Sequence, residues 1–168
     1  ASVSKLNKML AKTFNKESSH VAFKSSDGTQ IRVYDIVMNV ANDYDRNVFN
    51  GDTGVVNYTQ TGIQVYYTEL KQLENYDMYE VDNLELSYAR SVHKSQGSEA
   101  KYAIFPIEES SLYMWTRQML YTAITRAKKE VHIFMKRGEK SKLLNSILNS
   151  KTDLSTAYSL VLKRFIKR

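Results

Sequence analysis

Apolar and polar positions alternate differently in three stretches of this chain. Over residues 3–15, VSKLNKMLAKTFN, apolar residues recur at helical spacing, with Val3, Leu6, Met9, Leu10 and Phe14 on one side. That predicts a short amphipathic helix, with Ser2 or Ser4 as its cap. Lys24-Ser25-Ser26-Asp27-Gly28 then favours a loop or hairpin. From Gln30 to about Leu84 the runs are short and β-branched or tyrosine-rich: QIRVYDIVMNV, TGVVNYT and IQVYYTEL. Turn signals stand between them at Asn50-Gly51-Asp52 and Thr61-Gly62. These strands are too few for a large sandwich, so a small antiparallel β-barrel is expected.

From Glu85 the rhythm changes to strand (LELSYARSV), polar turn (KSQGSE), strand (KYAIFPI), helix (WTRQMLYTAITRAKK) and strand (EVHIFM). Such alternation predicts an α/β layer with a mostly parallel sheet. Pro106 inside an apolar run marks a place where a ladder hydrogen bond is dispensable. After Gly138 the tail reads as helix twice, KSKLLNSILNS and LSTAYSLVLKRFIKR. The chain opens without an initiating Met, like the interior of a longer polypeptide.

Composition narrows the class. At 168 residues, 42% hydrophobic and 25% charged, the chain has the makings of a folded core. It has no apolar run near the roughly 20 residues that span a bilayer and no secretory leader at its start, so cytoplasm is the default location. Without cysteine, disulfides and thiolate metal sites are excluded. His20, His93 and His132 are scattered, and no metal site is expected. The net charge of +6 is unevenly placed: residues 69–85 hold six acids and only Lys71, whereas residues 117–168 hold thirteen Lys/Arg against three acids. A basic C-terminal third suits a polyanion, nucleic acid first, and equally suits a merely solubilising helix surface.

Two segments carry candidate chemistry. SVHKSQGSE (91–99) follows a strand and packs small hydrogen-bonding residues around Gly97. Such a turn can present N–H groups and hydroxyls to phosphate oxygens, or it can be an ordinary polar loop in which Gly97 supplies a positive φ. LYTAITRAKKEVHIF (120–134) puts Leu120, Ala123, Ile124 and Ala127 on one helical side and sets Arg126 near the helix end. Arginine there suits a bidentate phosphate contact, or a surface ion pair or helix-terminal charge of lesser consequence.

VHKSQGSE followed about 25 residues later by LYTAITRAKK resembles motifs V and VI of superfamily 1 helicases, in the spelling of the RecD-like branch. Upstream, DIVMNVANDYDRNVFNGDTGVV (35–56) is similar to the segment by which RecD-like helicases enter a small Src-homology-3-like barrel, with Tyr34-Asp35 where the family usually has Gly-Asp. SKLNKMLAKTFN resembles the helix before that insertion. The matches cover most of residues 3–136. They imply an α/β fold: an incomplete RecA-like parallel-sheet domain (residues 1–28 and 85–138) with an inserted small antiparallel β-barrel (29–84) and a helical tail (139–168).

The resemblance also implies roles. Arg126 would be the arginine finger that reaches the γ-phosphate of ATP in the cleft between two motor domains. Gly97, Glu99 and Gln96 match nucleotide-side positions, and His93, Lys94 and Ser95 match positions near the DNA strand. The implied ligand is ATP with Mg²⁺. The implied partners are single-stranded DNA, the N-terminal motor domain and further helicase or nuclease subunits. Neither a phosphate-binding Gly-Lys-Ser/Thr loop nor the Asp-Glu pair that holds magnesium occurs in these 168 residues, so the fragment alone is not expected to hydrolyse ATP. In the barrel, Tyr34, Tyr44, Phe49, Tyr58, Tyr66 and Tyr67 have two readings, stacking on bases or filling the core, and core filling is the expectation for most. The rivals to a helicase are a stand-alone single-stranded nucleic-acid-binding module and a scaffold that keeps a degenerate motor fold.

Overall fold

A computed structural model describes residues 2–149 apart from 17, 19, 60, 61 and 96. The chain divides into two compact units, residues 1–91 and 92–168. The second tail helix read from the sequence lies outside the described residues. Among the described residues no helix is long and apolar enough to cross a membrane.

In the first unit, α1 (Val3–Phe14) starts at Ser2, whose hydroxyl accepts the Lys5 amide. Its inward side differs from the apolar stripe read in the sequence. Asn7 and Ala11 are buried, while Val3, Met9 and Phe14 stand exposed. The reason is polar. Asn7 brackets the Ala89 peptide, donating from Nδ2 to Ala89 O (2.9 Å) and accepting the Ala89 N–H (2.6 Å). A side chain that satisfies both backbone groups of one residue fixes which face turns inward.

Strands β1 (Val21–Lys24) and β2 (Gln30–Arg32) form a hairpin across the Ser-Asp-Gly turn, with Gly28 at φ 81°. β3 (Ile36–Asn39), β4 (Thr53–Thr59), β5 (Gly62–Tyr67), β6 (Gln72–Tyr76) and β7 (Leu84–Leu86) make one antiparallel sheet in the order β6-β5-β4-β3-β7. Its inward positions alternate with outward ones, as a sheet with one buried face requires. Val37, Val56, Val65 and Tyr67 are fully buried together with Ile31 of the hairpin and Val48 of the β3–β4 connection. Gly54 is obligatory in β4, because a Cβ there would meet Val65 Cγ1 at 2.5 Å and Tyr66 O at 2.7 Å.

Two sequence readings change here. LELSYARSV, read as a strand of the parallel layer, instead contributes β7, which pairs antiparallel with β3. Of the six aromatics, only Tyr67 fills the core. Tyr34, Tyr44, Phe49, Tyr58 and Tyr66 are exposed, because aliphatic side chains and the hydrogen-bonded Tyr67–Tyr76 pair already occupy the interior.

Asp35 is completely buried at the junction of this unit. Oδ1 accepts from Asn15 Nδ2 (2.7 Å) and the Tyr88 hydroxyl (2.9 Å), and Oδ2 accepts the Arg32 amide (2.8 Å). Helix end, hairpin and β7 exit are thereby tied to one carboxylate.

The second unit holds β8 (Ala100–Pro106), a 3-10 segment (Glu109–Met114), α2 (Arg117–Ile124), β9 (Ala127–Phe134) and α3 (Glu139–Asn149). β8 and β9 are parallel, pairing Tyr102 with Glu130, Ile104 with His132 and Pro106 with Phe134. Phe105, between those positions, packs edge-on against Trp115 (6.1 Å) in a core with Leu112, Leu120, Ala123, Leu143 and Ile147. On the opposite face Tyr102, Ile104 and Phe134 are 51%, 65% and 61% exposed. α2 is shorter than the helix read from the sequence. It ends at Ile124, and Ala127, Lys128 and Lys129 are strand.

Candidate functional site

Two short connections meet in the second unit: the turn from Ser91 to Glu99, and the Thr125-Arg126 link between α2 and β9. The turn is held from within. Ser95 donates its N–H (3.3 Å) and hydroxyl (2.7 Å) to Val92 O, and Ser98 donates both to Ser95 O (3.2 and 2.9 Å). These two hydroxyls therefore point back at their own backbone, as in the ordinary polar loop that was one of the two readings of this turn. Gly97 sits at φ 85° with open space where a Cβ would stand, so backbone conformation, not crowding, requires glycine there.

Arg126 leans across to this turn. Its NH1 donates to Ser98 O (3.2 Å), Nε to Thr122 O (3.2 Å) and NH2 to Thr125 Oγ1 (3.4 Å), and its own carbonyl accepts the Ala100 N–H (2.8 Å). All three acceptors are neutral and the bonds are long. Among the described residues no carboxylate lies within salt-bridge distance of the guanidinium; Glu99 pairs with Lys128 instead (2.8 Å). That pairing, first through its hydrogen bond and then through its charge, holds the Glu99 carboxyl below its usual value and Lys128 above its own.

Of the remaining site residues read from the sequence, His93 and Lys94 are exposed, Ser95 is half-buried and Gln96 lies outside the described residues. Val92 and His93, with Met114, Thr116, Gln118, Met119 and Thr122, line an open hollow of about 300 Å³. Thr116, Gln118 and Thr122 escaped the sequence reading because the polar side of α2 looked like ordinary solvated surface. Thr116 caps α2 by accepting the Met119 amide. Arg117 anchors the same helix to the end of α3 through the carbonyls of Ile147 and Leu148. Among the described residues no three His, Asp or Glu side chains gather as a metal would need.

Residues 86–134 match the UvrD-like helicase C-terminal domain, and residues 6–69 match the SH3 domain of ATP-dependent RecD-like DNA helicases. The RecBCD enzyme subunit RecD of Mycobacterium tuberculosis is 39% identical over 95 residues, which are 55% of this chain and 16% of that protein. The ATP-dependent RecD2 DNA helicase of Deinococcus radiodurans is 32% identical over 123 residues, 73% of this chain and 17% of that protein. The chain thus spans about a sixth of the length of these relatives. Among solved structures, the Pif1 helicase from Bacteroides in complex with ADP-AlF3 and ssDNA is similar with a TM-score of 0.54 at 16% identity, covering 96% of this chain and 42% of that one. At that identity the likeness concerns the fold.

Proposed function

We propose, from the match of residues 86–134 to the UvrD-like helicase C-terminal domain and of residues 6–69 to the SH3 domain of RecD-like DNA helicases, that the chain is the C-terminal region of a RecD-like superfamily 1 helicase and so part of an ATP-dependent DNA helicase or translocase. In this reading residues 1–28 and 85–138 belong to the second motor domain, residues 29–84 to its inserted barrel and residues 139–168 to a helical tail. Arg126 is the arginine finger. Gly97, Glu99 and Gln96 lie on the nucleotide side of the motif turn, and His93, Lys94 and Ser95 on the side of single-stranded DNA. ATP with Mg²⁺ is held mainly by an N-terminal motor domain of the same protein, and further helicase or nuclease subunits are partners; the RecD relatives are named as a subunit of a RecBCD enzyme.

One observation carries the proposal: the guanidinium of Arg126 bonds the Ser98 carbonyl of the motif turn, and its hydrogen-bond acceptors among the described residues are all neutral, while Glu99 feels its charge without pairing with it. A guanidinium hydrogen-bonded to neutral groups gains from a phosphate, which offers charged oxygens in the planar geometry of its fork. The same hydrogen bond gives a route for coupling. A nucleotide that draws Arg126 away releases the turn bearing His93 and Lys94. Bound ATP would supply the transferable phosphoryl group; this chain's part is to stabilise the charge that develops on it.

The test is steady-state ATP turnover by the whole protein on single-stranded DNA, with Arg126→Ala and Arg126→Lys beside the parent. Loss of a finger is expected to reduce kcat about 10³–10⁵-fold, with nucleotide affinity changed far less. Near-equal turnover would sink the assignment. A second reading, a nucleic-acid-binding module without a motor, draws on the fifteen Lys/Arg against six acids in residues 92–168. Tight, steeply salt-dependent binding of single-stranded DNA by the isolated chain would favour it.

A further inference from the structure

The open hollow of about 300 Å³ in the second unit has a lining that a phosphate contact does not explain. No Lys, Arg, Asp or Glu lines it, so an ionic group entering it would leave water without meeting an opposite charge. Met114 and Met119 are among its walls, and thioethers make favourable contacts with aromatic rings. His93, Thr116, Gln118 and Thr122 add hydrogen-bonding groups. A flat, neutral ring edged with donors and acceptors meets both kinds of lining.

The fold does not consume these polar groups. Among the described residues neither the Gln118 amide nor the His93 ring has a hydrogen-bond partner, and both residues are exposed. Thr116 Oγ1 accepts the Met119 amide (3.1 Å) and keeps its own proton to donate. A carboxamide sets an N–H donor beside a C=O acceptor. Each of the four DNA bases, once unpaired, shows a donor beside an acceptor on its pairing edge. One amide therefore serves any sequence, while a paired base has that edge engaged.

Thr122 links the hollow to Arg126. Its hydroxyl donates to Gln118 O (2.9 Å), and its carbonyl accepts Arg126 Nε (3.2 Å). A ligand in the hollow thus borders the residue that holds the guanidinium in place.

We infer that the hollow seats one unpaired base of a DNA strand, its ring against the methionines and its pairing edge on Gln118. The inference rests on the DNA-side reading of His93 given above. It adds that this part of the chain recognises a base by its being unpaired, whatever the sequence, besides meeting the strand's phosphates.

The test is an NMR titration of the full 168-residue chain, read at the Met114 and Met119 methyls, the Gln118 side-chain amide and the His93 ring. The probes are 15-nucleotide oligothymidine, oligodeoxyadenosine, the duplex of the two, and an abasic strand with the same phosphates. Both single strands are expected to shift all four groups saturably and with similar affinity. The abasic strand and the duplex are expected to shift His93 only. Gln118→Leu is expected to weaken both single strands tenfold or more, with binding of the abasic strand and the melting temperature unchanged. Gln118→Asn, which keeps an amide on a shorter arm, is expected to lose less; should the leucine variant fail to fold, Gln118→Ala serves. Equal methionine shifts with the abasic strand or the duplex would overturn the inference, and so would undiminished binding by Gln118→Leu. Binding of one single strand alone would overturn it in favour of sequence readout. In each of these cases shifts at His93 would leave the DNA-side reading standing. Strands that move neither His93 nor the hollow would overturn both.

Discussion

The two units of this molecule solve the problem of sheet burial to different degrees. In the first, five antiparallel strands and a hairpin close over one interior, and β5 alternates buried Ile63, Val65 and Tyr67 with outward Gln64 and Tyr66. In the second, not one residue of β8 or β9 is fully buried, and among the described residues helices pack against one face of the pair. Antiparallel sheets tolerate a solvated face, whereas parallel strands are ordinarily covered on both. The antiparallel sheet therefore buries one whole face in a core of its own, while the two parallel strands, among the described residues, leave one face uncovered. The Arg126 site sits on the second kind of structure, where hydrogen bonds between connections do the positioning that a packed core does elsewhere.

The sharpest way to break the comparison is to attack the barrel's polar centre. Asp35→Ala removes the acceptor for Asn15, Tyr88 and the Arg32 amide in a fully buried place. Orphaning these donors is expected to cost about 3–5 kcal/mol, read as a lowered denaturation midpoint of the first unit. Asp35→Asn, which keeps the shape but confronts donors with an amide, falls between it and the parent. Gly54→Ala comes next. Its methyl group has no room against Val65 and the Tyr66 carbonyl, and strain of about 1–3 kcal/mol is expected in the same measurement. In the second unit, by contrast, Ile104→Thr at a 65% exposed position is expected to stay within about 0.5 kcal/mol. A loss above about 2 kcal/mol there would mean that this face of the parallel strands is covered after all.

What could be read from the sequence follows the same division. The period-2 runs and the Asn-Gly and Thr-Gly turns disclosed the antiparallel strands, because there side-chain alternation directly encodes burial. The helix and strand of LYTAITRAKKEVHIF were legible, but their boundary was not. Ala127, Lys128 and Lys129 are good helix formers, and they become strand because β9 pairs with β8 from Ala100 onward. α1 misled for the opposite reason: Asn7 bonds a peptide 82 residues away, a contact no local pattern announces. Arg126 beside the Gly97 turn was foreseen from the spelling of the two motifs, yet its bond to Ser98 O required the fold. Tyr34, where the family usually has glycine, adopts φ 69°. The conformation that glycine takes freely is retained at a cost of about 1–2 kcal/mol, which accounts for the glycine that the resemblance implies there.

Smaller effects separate the units by pH. Tyr88 is pushed up to about 12, first by burial and then by donating its proton to Asp35. The protonated phenol is the form the fold favours. Its contribution is complete below the unfolded value near 10 and is lost as pH rises toward 12. In a phenolate titration Tyr88 should ionise late, and Asp35→Asn should bring it earlier. Ionisation of Tyr88 along with the exposed tyrosines would contradict the junction as described.

The smallest expected effect lies in the second unit. Glu99 is held below its usual value by the hydrogen bond and charge of Lys128. Its contribution is therefore present above the ordinary carboxylate range and is lost as pH falls through the lowered value. Both groups are exposed, so salt should erase most of this preference. In a carboxyl NMR titration Lys128→Met is expected to return Glu99 to the ordinary range without moving the melting temperature. Were that substitution to destabilise the unit, the ion pair would be a structural brace. Glu99 would then no longer be a group that can exchange Lys128 for another cation.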